Sequence, residues 1–277
     1  MLSAYGTIVR ELNRPTTSYL MRLKFRKPPV DELVIGSYFP PIEQLQAQHI
    51  GLFWAGIIDE LPTCVQQPPL VEILQNESEI FPLPRFWFIS ADDAILIQVQ
   101  RNAFIANWRR RGENATYPHF ETISEFFGAQ FNNFRTFAKE RLGFEMQQVA
   151  SLELAYINFL RAPEIKSVAD FATLIPGINQ LRIPEDLGEI NGYSSTYNVN
   201  VSADMALRVS LSRAKRLPEN AEGLRLEIRA KGIPEPPDWT AVSPWFDKAH
   251  DYISDLFLTV TSPEAQRSWE PIEGGMA

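Results

Sequence analysis

The chain has 277 residues, 45% hydrophobic and 22% charged, with 18 Phe, 6 Trp and 8 Tyr; this composition supports a sizeable core and a globular, aromatic-rich protein and argues against disorder. A net charge of -8 and a pI near 5.1 exclude a surface that attracts nucleic acid as a whole, so nucleic acid could engage only local basic patches. One cysteine, Cys64, excludes an intramolecular disulfide, and His49, His119 and His250 are too scattered for a zinc motif, so neither a metal nor a cofactor is expected.

No apolar run reaches the roughly 18 residues that span a bilayer. Arg10, Asn13, Arg14 and Thr16 break up any signal-peptide core, so a cytoplasmic location without membrane contact is expected. Residues 1–27 set Arg10, Arg14, Arg22, Lys24, Arg26 and Lys27 against Glu11 alone. This basic N-terminal arm suits an acidic partner or nucleic acid, or is a loosely packed leader in which Met21 is an alternative start.

Val30 to Phe39 reads as the first strand, bounded by Pro28-Pro29 and Pro40-Pro41, which cannot extend a ladder. From Ile42 to Leu61, Ile42, Leu45, Leu52, Phe53, Gly56 and Ile57 recur at spacings of three and four and predict an amphipathic helix. His49 on that stripe reads as a hydrogen-bonded packing residue rather than a catalytic base. Leu61 to Pro84, rich in proline and acids, reads as a surface excursion.

The stretch Arg85 to Pro118 organises the rest. Phe86 to Ile89 favours a strand, and Ala91-Asp92-Asp93 favours a turn. In the next strand Ile95, Ile97 and Val99 point one way, while Gln98, Gln100 and Asn102 point the other, as a solvated face or a hydrogen-bonding surface for a ligand. Phe104 and Trp108 then fall on the polar side, so a bulge near Arg101 to Ala103 is expected. Asn107, Trp108, Arg109, Arg110 and Arg111 before Gly112 combine an amide, an indole and three guanidinium groups. They form a candidate ligand- or partner-binding cluster for carboxylate or phosphate, or serve to keep a strand end soluble.

Pro118 opens a long helix with Phe120, Ile123, Phe127, Phe131, Phe134, Ala138 and Leu142 as its apolar stripe, stopped by Gly143. Gln148 to Leu160 is a strand whose Glu153 shares a face with Val149, Ala155, Ile157 and Phe159; a carboxyl group there would be pushed upward and could act as an acid or base, unless an arginine claims it. Arg161 to Gly188, with prolines at 163, 176 and 184, reads as a connector holding one short helix at Val168 to Ile175.

Three alternating strands follow. Tyr193, Tyr197, Val199, Val201, Met205, Leu207, Val209, Leu211, Leu224, Leu226 and Ile228 point inward. Thr196, Asn198, Asn200, Arg208, Ser210, Ser212, Arg225, Glu227 and Arg229 point outward. Arg208, Arg225 and Arg229 are candidates to bind an anion, against plain solvation beside Glu227. Ser243-Pro244 is expected to cap a helix buried along Trp245, Ala249, Ile253, Leu256, Phe257 and Val260, with His250 at its margin, and Ser262-Pro263-Glu264 starts a final short one.

No phosphate loop, dinucleotide fingerprint, nucleophile elbow or paired-histidine motif occurs. The low-ranking catalytic candidates are Glu153, Glu164 and Lys166, a set that would serve a metal-dependent hydrolase of nucleic acid or a phosphoester.

Pro28-Pro29-Val30 with Glu32, Asn107-Trp108-Arg109, Tyr117-Pro118, Tyr156-Ile157-Asn158, and His250 with Leu256-Phe257 and Trp269 together resemble a sporadically distributed family of uncharacterised bacterial and archaeal proteins. The resemblance runs from Pro28 to Trp269 and leaves out the basic arm. It implies a prokaryotic accessory role linked to defence or mobile elements, and no reaction.

The expected fold is α+β: an antiparallel sheet built from two sheet-and-helix halves and covered by three long helices near 42–60, 118–142 and 243–260. The expected division is an arm at 1–27, an N-terminal half at 28–160, a connector at 161–188 and a C-terminal half at 189–277. The leading function is a non-enzymatic interaction or sensing module, with protein partners that include a second copy of the chain.

Overall fold

A computed structural model of the chain describes residues 24–68, 83–112, 115–161, 173–176, 192–216 and 221–272. The basic arm through residue 23 and most of the 161–188 connector, including Glu164 and Lys166, lie outside the described residues. In chain order the elements are β1 (Lys24–Phe25), β2 (Val30–Tyr38), α1 (Ala47–Ala55), β3 (Thr63–Gln67), β4 (Arg85–Ile89), β5 (Ile95–Gln100), β6 (Ala103–Arg109), α2 (His119–Leu142), β7 (Ser151–Arg161), β8 (Ser194–Ser202), β9 (Met205–Arg216), β10 (Ala221–Gly232), α3 (Val242–Val260), α4 (Pro263–Ser268) and β11 (Pro271–Ile272).

The protein is α+β, with few helices and one large antiparallel sheet of nine strands in the order β3-β4-β5-β6-β2-β7-β10-β9-β8; β1 and β11 pair separately. Contacts divide the chain into two compact units. One gathers Val30–Ile157 with Arg229–His250; the other gathers the described parts of Met1–Pro29, Asn158–Ile228 and Asp251–Ala277. No helix among the described residues is long and apolar enough to cross a membrane.

In the first unit the core is an aromatic stack under α2. Phe104 meets Phe127, Phe131 and Phe134 at centroid separations of 5.9, 5.3 and 5.4 Å, and Phe134 also meets Phe39 and Phe53. The expected apolar stripe of α2 is buried through Ala138. Gly143 ends the helix in the left-handed region at φ 65°, where a side chain would be strained, and its N–H bonds the Ala138 carbonyl.

Four expectations about elements need correction. The first helix is not long: α1 has nine residues, flanked by turns. Ile42, Leu45, Ile57 and Leu61 are buried from those turns, whereas Leu52 is 60% exposed, so the three-four spacing reported burial without continuous helix.

The bulge before Phe104 is instead a two-residue turn, Arg101-Asn102, that ends β5 and starts β6. The register sets Val99 opposite Phe104 and Ile95 opposite Trp108, so reversing the chain moves both aromatics to the core face with no extra residue.

The excursion after Leu61 begins with a strand: Thr63 to Gln67 pairs with β4, between Pro62 and Pro68. Finally, Ser243-Pro244 lies inside α3, and the cap is Asp238, whose carboxylate accepts from the Thr240 N–H at 2.9 Å ahead of a single 3-10 turn. Ser262 caps α4 as expected.

In the second unit Met205, Leu207, Val209, Leu211, Leu224, Leu226 and Ile228 are buried, as their alternation requires. Tyr197 is 53% exposed although it shares a face with Val209, because β8 ends the sheet.

Candidate functional site

The pleat of β6 divides the Asn107–Arg111 cluster between two faces. Asn107 and Arg109 stand opposite Val34 and Glu32 of β2, on the face turned away from α2. Trp108 stands opposite Leu33 on the core face, buried and edge-on to Tyr117 at 5.3 Å. The Arg110 guanidinium lies over the Trp108 ring at 5.8 Å and donates to the carbonyls of Val30 and Ala115 at 3.0 and 2.7 Å. Asn107 and Trp108 are therefore interior residues and Arg110 ties backbone segments together.

Arg109 and Arg111 converge on Asp93, which accepts from Arg109 Nη2 at 2.5 Å and pairs with Arg111 Nε at 2.5 Å. Burial, followed by the charge of Arg111, lowers the Arg109 guanidinium, against the opposing pull of Asp93 and Glu32. Asp92, next in the turn, accepts from the Ser90 hydroxyl at 2.6 Å and the Ala94 N–H at 3.1 Å, and these bonds hold its carboxyl below the usual range. A hollow of about 450 Å³ lies beside this turn, lined by Asp92, Ala94, Trp108, Arg111, Gly112, Ala115 and Thr116. Arg111, 42% exposed, is the member of the cluster most open to a ligand.

A row of side-chain hydrogen bonds crosses four strands on the face opposite α2. Trp87 Nε1 donates to Gln98 Oε1 at 3.1 Å, Gln98 Nε2 to Asn107 Oδ1 at 2.7 Å, and Asn107 Nδ2 to Glu32 Oε1 at 2.6 Å. Gln98 and Gln100 are thus buried, correcting the solvated face; each amide occupies a sheet position flanked by side chains of adjacent strands. Gln100 Oε1 has no hydrogen-bond partner among the described residues. Arg85 lies over the Trp87 ring at 5.2 Å, and burial lowers its guanidinium.

The same face carries Glu153. It packs near Gly36, accepts from Arg229 Nη1 at 2.6 Å and from the Tyr38 hydroxyl at 3.3 Å, while Lys231 lies 5.4 Å from the Tyr38 ring. Val34, Ala103, Ile105 and Ala155 form a buried apolar patch there, with Tyr38 and Ile157 against it. Arg229 is consequently an ion-pair partner and not a water-facing anion site. Among the described residues no group of three or more His, Cys, Asp and Glu could hold a metal ion.

In the second unit Arg225 pairs with Glu227 at 2.7 Å; Glu227 is buried, which corrects its expected solvation, and Arg208 is exposed on β9. His49 is a hydrogen-bonded structural residue, as expected: its Nδ1 accepts from the Gln46 N–H at 3.2 Å and closes a capping box at the start of α1.

One further assembly joins residues that sequence reasoning left in separate motifs. The Tyr117 hydroxyl donates to the Tyr156 hydroxyl at 3.2 Å, and Tyr156 bonds His250 Nδ1 at 2.8 Å, with the imidazole stacked on Phe120 at 4.3 Å. Burial raises Tyr117 far above an ordinary phenol. Residues of three separate short motifs thus meet here, and the Asn107–Glu32 bond joins two others. Trp87, Tyr38, Glu32 and Asp93 were missed as site residues; their signal is cross-strand register, which the hairpin turns carry and single-strand periodicity does not.

Comparison with protein families, curated proteins and solved structures yields no match.

Proposed function

We propose that the chain is a non-enzymatic protein-interaction or sensing module, cytoplasmic and prokaryotic, working as an accessory to defence or mobile elements. Its recognition surface is the face opposite α2 together with the Asp93 turn at one end of it. The observation that carries this reading is the row Trp87-Gln98-Asn107-Glu32. Buried polar side chains on a sheet are held only where each finds a partner, and a connected row fixes their orientation in advance of binding. Trp87, Tyr38, Arg85, Arg109 and Arg229 on one face make an aromatic and arginine-rich composition of the kind that dominates binding energy at protein interfaces.

The fold supports a finer reading as well. In the first half β2 is followed by α1, the β4–β6 meander and α2; in the second β7 is followed by the β8–β10 meander and α3, and the sheet order runs β4-β5-β6-β2 in one and β8-β9-β10-β7 in the other. We read the halves as divergent versions of one sheet-and-helix unit.

The test is affinity capture from the native host followed by calorimetry with the purified partner. Arg111→Ala and a Trp87→Ala, Tyr38→Ala double variant are each expected to weaken that partner at least about tenfold, the effect of a single interface hot spot. An affinity unchanged in both variants would remove this face from the function.

A further inference from the structure

The two ends of the sheet are treated differently by the sequence. At one end β3 is five residues long and closed by Pro62 and Pro68, which stop any added strand from extending. At the other end β8 is nine residues, SSTYNVNVS, with no charge and no proline, and it is open along most of its length. Natural edges are ordinarily blunted by charge, proline, brevity or a bulge; β8 has none of the first three, and its one register shift falls near its C-terminal end, between Asn200 and Ser202.

Its backbone polarity is fixed by the register with β9. The Tyr193 carbonyl accepts from the Arg213 N–H at 3.0 Å, and the ladder sets Ser194 opposite Ser212, Thr196 opposite Ser210 and Asn198 opposite Arg208. Hydrogen-bonded pairs alternate in an antiparallel ladder, so odd residues bond β9 and Ser194, Thr196, Asn198 and Asn200 direct N–H and C=O to the outer edge. No strand among the described residues pairs with that edge.

We propose that β8 is a self-association edge that pairs antiparallel with β8 of a second copy, about a two-fold axis through Asn198. The strand is complementary to itself in this register. Asn198 faces Asn198 and Thr196 faces Asn200 twice, three hydrogen-bonded pairs that supply about six backbone bonds, most of the roughly ten found in a standard interface. Between them Tyr197 lies opposite Val199 of the other copy, twice, an aromatic and β-branched pairing that covers the 53% exposed ring. An uncharged edge has nothing with which to select an acidic or basic partner, whereas a closed two-fold contact needs only itself.

Sedimentation equilibrium of the full chain at about 100 µM, above the micromolar Kd expected for a modest interface, should give twice the 31.6 kDa chain mass. Asn198→Pro should give the single mass with an unchanged thermal midpoint, because the N–H it removes points to the outer edge. A Thr196→Lys, Asn200→Lys variant should also be single, since each lysine faces another across the axis; it decides the matter if the proline variant misfolds. Asn198→Cys in a Cys64→Ser background should cross-link under mild oxidation, the facing Cα atoms being about 5.5 Å apart. A single-mass wild type, or double mass retained in the folded variants, would overturn the proposal.

Discussion

Glu153 is buried on β7, and its carboxylate, 7% exposed, has Arg229 at 2.6 Å and Tyr38 at 3.3 Å. Removing one member of a fully buried pair costs about 3–5 kcal/mol because the other charge is left without compensation; Arg229 is 31% exposed, so water offsets part of that and Arg229→Ala should cost about 2–3 kcal/mol. Glu153→Gln keeps an acceptor for Arg229 and should cost about 1 kcal/mol, the scale of one hydrogen bond. Urea unfolding of both variants checks the order, and a larger loss for Glu153→Gln would contradict it. The period-two alternation made Glu153 legible as an inward carboxylate. It assigned Arg229 to water, because the partner lies 76 residues away on another strand and no local pattern encodes that pairing.

At the scale of elements, the hairpin from β4 to β5 was legible because Asp92 is a turn-forming residue between two strand-forming runs. The Asn107–Arg111 cluster was legible as chemistry and illegible as a surface: consecutive residues of a strand alternate sides, so β6 and its extension could not present all five groups to one ligand. The Asp92 turn yields a pH prediction. Its hydrogen bonds to Ser90 and Ala94 depress the folded carboxyl, so the charge-dependent stabilisation is complete above the unfolded value near ~3.9 and is lost as pH falls through the folded value. Asp92 is almost fully solvated, which limits the effect, and Asp92→Ala should cost about 0.5–1 kcal/mol at pH 7. Urea titrations should find this gap constant down to about pH 5 and narrowing below about pH 4. A gap that stays constant to pH 3 would mean the carboxylate charge contributes nothing to the turn.

At the scale of the whole molecule, the sequence reading divided the chain into consecutive halves, whereas contacts join Arg229–His250 to Val30–Ile157 in one compact unit. This returning segment fills the core of that unit. Trp239 meets Phe131 at 5.0 Å and lies under Arg135 at 4.6 Å, Phe246 meets Phe127 at 5.5 Å, His250 stacks on Phe120, and Arg229 holds Glu153. Loss of several large aromatic side chains removes about 3–5 kcal/mol each, which together exceeds much of the 5–15 kcal/mol by which a domain is folded. A fragment ending at Ile157 should therefore keep helical far-ultraviolet circular dichroism from α2 while binding a hydrophobic dye and lacking a cooperative urea transition. Adding a synthetic peptide of residues 229–250 should suppress dye binding and restore the transition. If the fragment alone unfolds cooperatively with no dye binding, the returning segment is an accessory to the core of this unit and not a part of it.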